Sequence, residues 1–261
     1  MPAKKNISNV LANRYASPEM TAIWSPEDKI IMERKLWISV MKAQAELGVE
    51  VPAEAIVAYE KVIENVDLAS IAEREKVTRH DVKARIEEFN ALAGQEHIHK
   101  GMTSRDLTEN VEQLQIFSSL QLARDKAVAV LARIGRRAAE NQSLVMAGRS
   151  HNVAAQATTL GKRFASAADE LLVGLERIED LLSRYPLRGI KGPMGTSQDM
   201  LDLVGGDESK LAELESTIAE NLGFSRVFDS VGQVYPRSLD MDALSALAQI
   251  GAALSLSLIH I

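Results

Sequence analysis

A chain of 261 residues with 46% apolar, 25% charged and 4% aromatic side chains has the make-up of a globular protein, which excludes a disordered or collagen-like one. Thirty Lys and Arg against 36 Asp and Glu leave a net charge of −6, which weighs against a general binder of nucleic acid or of anionic membranes. The absence of cysteine removes disulfides, thiolate metal sites and a cysteine nucleophile, and it fits a reducing cytoplasm.

Residues 1–8 carry two lysines with no apolar core behind them, so they do not read as a signal peptide. Helices are predicted over 26–47, 53–62 and 82–93. No proline occurs between Pro52 and Pro186, and long helices follow from that. The first, from Ser104 to about Asn141, opens Ser-Arg-Asp-Leu, a cap followed by an acidic first turn. Leu107, Val111 and Leu114, then Val128, Leu131, Ile134 and Ala138, recur at three- and four-residue steps, so one apolar stripe persists for roughly ten turns, or about 50 Å. A stripe of that length needs other long helices beside it. A second long helix is predicted from about Val153 to Tyr185, with Leu171, Leu175, Ile178 and Leu182 at the same spacing, and Pro186 stops it.

No alternating strand pattern competes with these helices. Glycine-rich connectors cover 187–196 and 203–207, and further helices are predicted over 210–222 and from Leu239 to the end. From Ala243 to Ile261 there is no charged side chain, which raises the question of a tail anchor. Ser245, Gln249, Gly251, Ser255, Ser257 and His260 lower the preference of that run for lipid, and it reads as a buried core helix. The expected fold class is all-α: an N-terminal helical domain over 1–102, then the start of a long-helix bundle over 103–255.

Histidine is scarce, limited to His80, His97, His99, His151 and His260. Glu96-His97-Ile98-His99 invites a metal reading, but a His-x-His pair on a helix diverges by about 200°, so the pair reads as one solvent-facing and one packed residue. Three other runs join a cation or imidazole to small hydroxyl donors near predicted helix starts: Thr78-Arg79-His80-Asp81, Lys100-Gly101-Met102-Thr103-Ser104 and Arg149-Ser150-His151-Asn152. Free backbone N–H groups and the helix dipole favour an anion there, and together the runs suit a polyanionic small substrate. Each also has a structural reading: Arg79 and Asp81 as a surface ion pair, Thr103 or Ser104 as an N-cap, His151 as a polar residue at a helix start.

Taken in order, RYASPEM from Arg14, TRHDV from Thr78, HKGMTSRD from His99, GRSHNVAAQATTLGKR from Gly148, KGPMGT from Lys191 and GQVYPRSLD from Gly232 resemble the successive blocks of the adenylosuccinate lyases, within the fumarase and aspartase superfamily. The resemblance implies the long-helix bundle of that superfamily and a β-elimination. Adenylosuccinate is split into AMP and fumarate, and the succinyl-aminoimidazole carboxamide ribotide is cleaved in parallel. It also implies His151 as general acid, and Arg79, His80 and Asp81 as a substrate-contacting triplet in which Asp81 orients the imidazole. Arg14 and Tyr15 would reach the nucleotide phosphate from a neighbouring subunit. Thr103 and Ser104 would donate to the succinyl carboxylates, with His99, Gln156 and Gln233 lining the pocket.

The same resemblance implies no metal, nicotinamide or flavin cofactor, a small-molecule substrate, no nucleic-acid or membrane partner, and a cytoplasmic homotetramer whose sites are shared between subunits. Two departures stand out. Ser150-His151 and then Val153-Ala154 occupy positions where many members have Thr-His followed by Gln-Pro, and the serine base of the family's glycine-rich signature loop has no counterpart. Residues 256–261 also leave the family pattern. They match the peptide encoded by a common transposon-derived sequencing adapter, and are read as a non-native tail on a truncated, inactive chain that self-associates through uncovered bundle faces. Two other readings stay open: another fumarate-releasing lyase of the superfamily, such as argininosuccinate lyase, and a non-catalytic helical scaffold.

Overall fold

The computed structural model describes residues 9–260. The segment read as lacking a signal peptide, 1–8, and the last residue of the proposed tail, Ile261, lie outside them. The chain divides into two compact units: one runs through Ser118 and includes Tyr185–Pro236, the other comprises Ser119–Arg184 and the chain from Arg237 onward.

In the first unit, α1 (Val10–Tyr15), α2 (Pro18–Ile23) and α3 (Pro26–Glu46) follow one another closely. Each is opened by a side-chain cap: Asn9, Ser17 and Ser25 accept backbone N–H bonds, and Pro18 and Pro26 occupy first-turn positions where a missing N–H costs nothing. Helix α3 is buried on nearly every side, Leu36, Trp37, Val40 and Met41 together with Glu33, Arg34 and Gln44, which marks it as the central helix of this unit. Around it lie α4 (Ala53–Lys61), α5 (Leu68–Thr78) and α6 (Asp81–Ala93). Trp37 stacks on Phe89, Tyr59 meets Phe89 at a tilt of 56°, and Arg34 lies over the Phe89 ring while its guanidinium pairs with buried Glu88. Beyond the start of α7 (Ser104–Glu140), the chain returns to this unit at Tyr185. It adds α9 (Gln198–Leu203) and α10 (Glu208–Asn221), with Phe117, Tyr185 and Phe224 packed ring against ring.

The second unit takes α7 from Ser119 and continues through an antiparallel hairpin, β1 (Val145–Ser150) and β2 (Val153–Thr159), into α8 (Leu160–Arg184). Its last element is α11 (Ser238–His260), which packs on α8 through Ala243, Ala246, Ile250 and Ala253; Gly174 of α8 admits the Ile250 backbone to close range. By length and composition alone α11 is apolar enough to cross a membrane.

The all-α expectation holds, with one correction. The second long helix begins at Leu160, not near Val153, because 145–159 form the hairpin. No alternation betrayed it because most of both strands faces solvent on both sides, which removes the apolar/polar period.

Candidate functional site

In the first unit a cleft of about 330 Å³ is lined by His80, Val82, Lys83, Ile86, His99 and Ser104. Three elements supply its polar groups. His80 is the N-cap of α6, and its Nδ1 accepts the Lys83 backbone N–H at 3.2 Å. Because Nδ1 is an acceptor, the neutral ring carries its proton on Nε2, which lies 3.3 Å from the Ser104 hydroxyl at the start of α7. Ser104 Oγ therefore accepts from His80, and its own proton is free to point elsewhere. His99 sits in a left-handed backbone conformation, φ +66°, in the turn before α7, and its Nδ1 accepts the indole N–H of Trp37 at 3.0 Å. Burial first, and then the positive charge His80 bears when it is protonated, lower the His99 imidazole to about 4, so this ring is neutral at pH 7.

The flank of the cleft is charged. Arg79 ends α5 in a left-handed conformation and is exposed. Asp81 pairs with Arg85 at 2.7 Å, four residues on, and not with Arg79 as the surface-pair reading expects. Burial alone would raise the Asp81 carboxyl, but Arg85, the Val82 backbone N–H and His80 outweigh it and hold it below the usual carboxylate range. Behind Arg85 lies Glu33, whose Oε2 is 2.8 Å from Arg85 Nε without the alignment of a hydrogen bond. Burial pushes this carboxyl up to about 7 in spite of that cation.

The start of α7 is held by a buried network. Asp106, in the third helical position, reaches back to accept the Thr103 backbone N–H at 2.8 Å, half of a capping box. Its other oxygen accepts the backbone N–H groups of Lys191 and Gly192, each at 3.0 Å, and pairs with the Arg188 guanidinium. Arg188 in turn donates to the Gly192 and Gly232 carbonyls, and Asn110 bonds both the N–H and the C=O of Gly189. The KGPMGT connector is thereby tied to the helix that presents Ser104. Gly195 in that connector has φ +78°, and a Cβ there would meet the Val231 carbonyl oxygen at 1.8 Å, so only glycine fits against the 231–233 loop.

The structure thus brings His80, His99 and Ser104 together, with Thr103 and Asp81 adjacent in sequence. Gln233 is exposed in the loop that Arg188 holds through Gly232. Arg14 and Tyr15 are exposed on α1 and do not line the cleft. His97 and His99 face different partners, Lys100 and Trp37. Among the described residues no three His, Asp or Glu side chains converge as a metal would require.

In the second unit, His151 and Asn152 form the two-residue turn of the hairpin, with φ +49° and +62°, the left-handed pair of a type I′ turn. The expectation of His151 at a helix start is corrected accordingly. Arg149 closes the turn by donating to the Asn152 carbonyl at 2.9 Å. Gln156 is exposed on β2, opposite Gly148 and next to a bulge in the ladder.

A family model described as lyase matches residues 14–249. The chain belongs to the lyase family. Its relatives include adenylosuccinate lyase of Schistosoma mansoni, 35% identical across 94% of this chain and 52% of that protein, and adenylosuccinate lyase of Saccharomyces cerevisiae, 36% identical across 97% and 53%. A solved fumarate lyase from Mesorhizobium sp. BNC1 shares the fold, with a TM-score of 0.74 and 20% identity over 90% of this chain and 54% of that one. The chain spans about half the length of the curated relatives it matches.

Sequence reasoning about this lyase-family chain missed Trp37, Asp106 and Arg188 as organisers of the cleft. Asp106 lies in the HKGMTSRD segment, three residues after Thr103, which is the spacing of a capping box. Arg188 stands three residues before the KGPMGT block and carried no signal of its own.

Proposed function

We propose that this chain contributes to the active site of a fumarate-releasing lyase that acts on adenylosuccinate and on the corresponding succinyl ribotide. The observation that carries the reading is the grouping of His80, His99 and Ser104 in one cleft, in a chain of the lyase family. β-Elimination requires a base at the carbon beside a carboxylate, donors for the aci-carboxylate that forms, and an acid for the departing nitrogen. Ser104, whose proton is free of His80, and Thr103 supply donors for the succinyl carboxylates. His151, on an exposed turn, supplies the acid. Arg79, His80, Asp81, His99, Gln156 and Gln233 line the substrate, and Arg14 and Tyr15 serve the phosphate of a neighbouring site in a cytoplasmic homotetramer.

The resemblance assigns the base to a serine of a glycine-rich loop, and the chain spans about half the length of its curated relatives. The decisive experiment is therefore to sequence the source DNA past the codon for Ile261, express the extended frame, and follow fumarate release from adenylosuccinate and from argininosuccinate. Turnover of adenylosuccinate is expected, with a loss of about 10²- to 10⁴-fold in kcat for His151→Ala. Turnover of argininosuccinate alone, or an unimpaired His151→Ala enzyme, would overturn the reading.

A further inference from the structure

Trp37 lies at the centre of the first unit with none of its surface exposed, and its indole ring meets the His99 imidazole edge-on, centroids 6.0 Å apart and planes at 83°. An indole N–H can only donate. The 3.0 Å contact to His99 Nδ1 therefore obliges that nitrogen to carry a lone pair, which puts the ring proton of neutral His99 on Nε2.

We propose that Trp37 is a positioning residue that locks His99 in the Nε2–H tautomer, so that His99 meets the occupant of the cleft as a hydrogen-bond donor and not as a proton acceptor. In its neutral form His80 accepts the Lys83 backbone N–H at Nδ1, which favours the same tautomer against the pull of the Asp81 carboxylate 3.6 Å from that nitrogen. With its proton spent on Ser104, His80 turns that hydroxyl outward as a further donor. A cleft built this way suits a group that only accepts, such as a carboxylate, and disfavours one that must donate. The identity of the occupant rests on the lyase reading above; the tautomer does not. The low proton affinity of buried His99 is consistent with this role, since the ring stays neutral across the physiological range.

Magic-angle-spinning NMR of the sedimented, 15N-histidine-labelled chain reads the tautomer directly and does not depend on solubility. The His99 signal is assigned by its disappearance in His99→Asn. In the unmodified protein at pH 7, His99 is expected as Nε2–H only, with Nδ1 unprotonated. In Trp37→Phe, which keeps a ring and removes the donor, a mixture of tautomers is expected. An Nδ1–H His99 in the unmodified chain would overturn the proposal even if the variant failed to fold. A Trp37→Phe spectrum identical to the parent's would overturn it as well. Failure of fumarate release by the extended enzyme would instead count against the lyase reading and leave the tautomer result standing.

Discussion

Around the start of α7, Asp106, Asn110 and Arg188 are buried and each is bonded to the backbone of a distant segment. Along the hairpin of the other unit, Val145 and Val153 stand 70% and 67% exposed. Both regions carry motifs of the candidate site, and the contrast shows two ways of placing a functional side chain. A buried charge bonded from several sides holds its geometry in an isolated chain, because removing a partner is costly; of the Arg188 guanidinium only Nε lacks an acceptor. A two-stranded ribbon is only marginally stable in water, so the position of His151 depends on what covers the strands. The cleft residues are preorganised; the proposed acid is not.

The largest effect should come from Arg188→Ala. It leaves Asp106 buried without its cation and frees the Gly192 and Gly232 carbonyls, and should cost about 3–5 kcal/mol of stability in urea unfolding. A loss below about 1 kcal/mol would erase the contrast between the two regions.

A middle-sized effect concerns pH. Glu33 titrates near 7 in the folded protein against 4.5 ordinarily, so the folded state holds its proton more tightly and this group's contribution falls as pH rises from about 4.5 to 7. His99 titrates near 4 against 6.5, so the unfolded state holds the extra proton and its contribution rises with pH from about 4 to 6.5. The two slopes oppose each other over most of that window. Relative to the parent, Glu33→Gln should gain stability as pH rises through it, and His99→Asn should lose stability. Each difference is on the order of 3 kcal/mol, measured by denaturation at pH 4.5 and 7. Parallel curves for parent and variants would show that neither group is held as described.

The smallest effect sharpens the hairpin side. Asn152→Gly replaces a left-handed non-glycine residue at the second turn position, where a type I′ turn favours glycine, and should stabilise the ribbon by roughly 0.5 kcal/mol. Amide exchange should slow about twofold in β1 and β2 while α3 is unchanged. A uniform change across the chain would indicate that the hairpin does not open independently.

The helices with long apolar periods were legible in the sequence: α3, α4, α6, α7, α10 and α11 all lie where spacing and punctuation put them. The helices α1, α2 and α9 span six residues each, too few for a period to show, and α5 buries only Ile71. The hairpin was hidden for the opposite reason, since strands exposed on both faces leave no alternation. In the site, His80, His99 and Ser104 could be nominated from local chemistry and family likeness. Trp37 and Arg188 could not, because their bonds to His99 and Asp106 cross 62 and 82 positions of chain, and nothing in a lone sequence reports a pairing at that range.

Asp106 also bears on when the cleft comes into being. Its Arg188, Lys191 and Gly192 partners lie 82, 85 and 86 residues further along the chain. The first turn of α7 can coil locally within a microsecond, but its carboxylate stays hydrated until that long loop closes. Ser104 therefore reaches its final place through a non-local event, and a nascent chain that has not yet released the 188–192 segment has a helix there without a site.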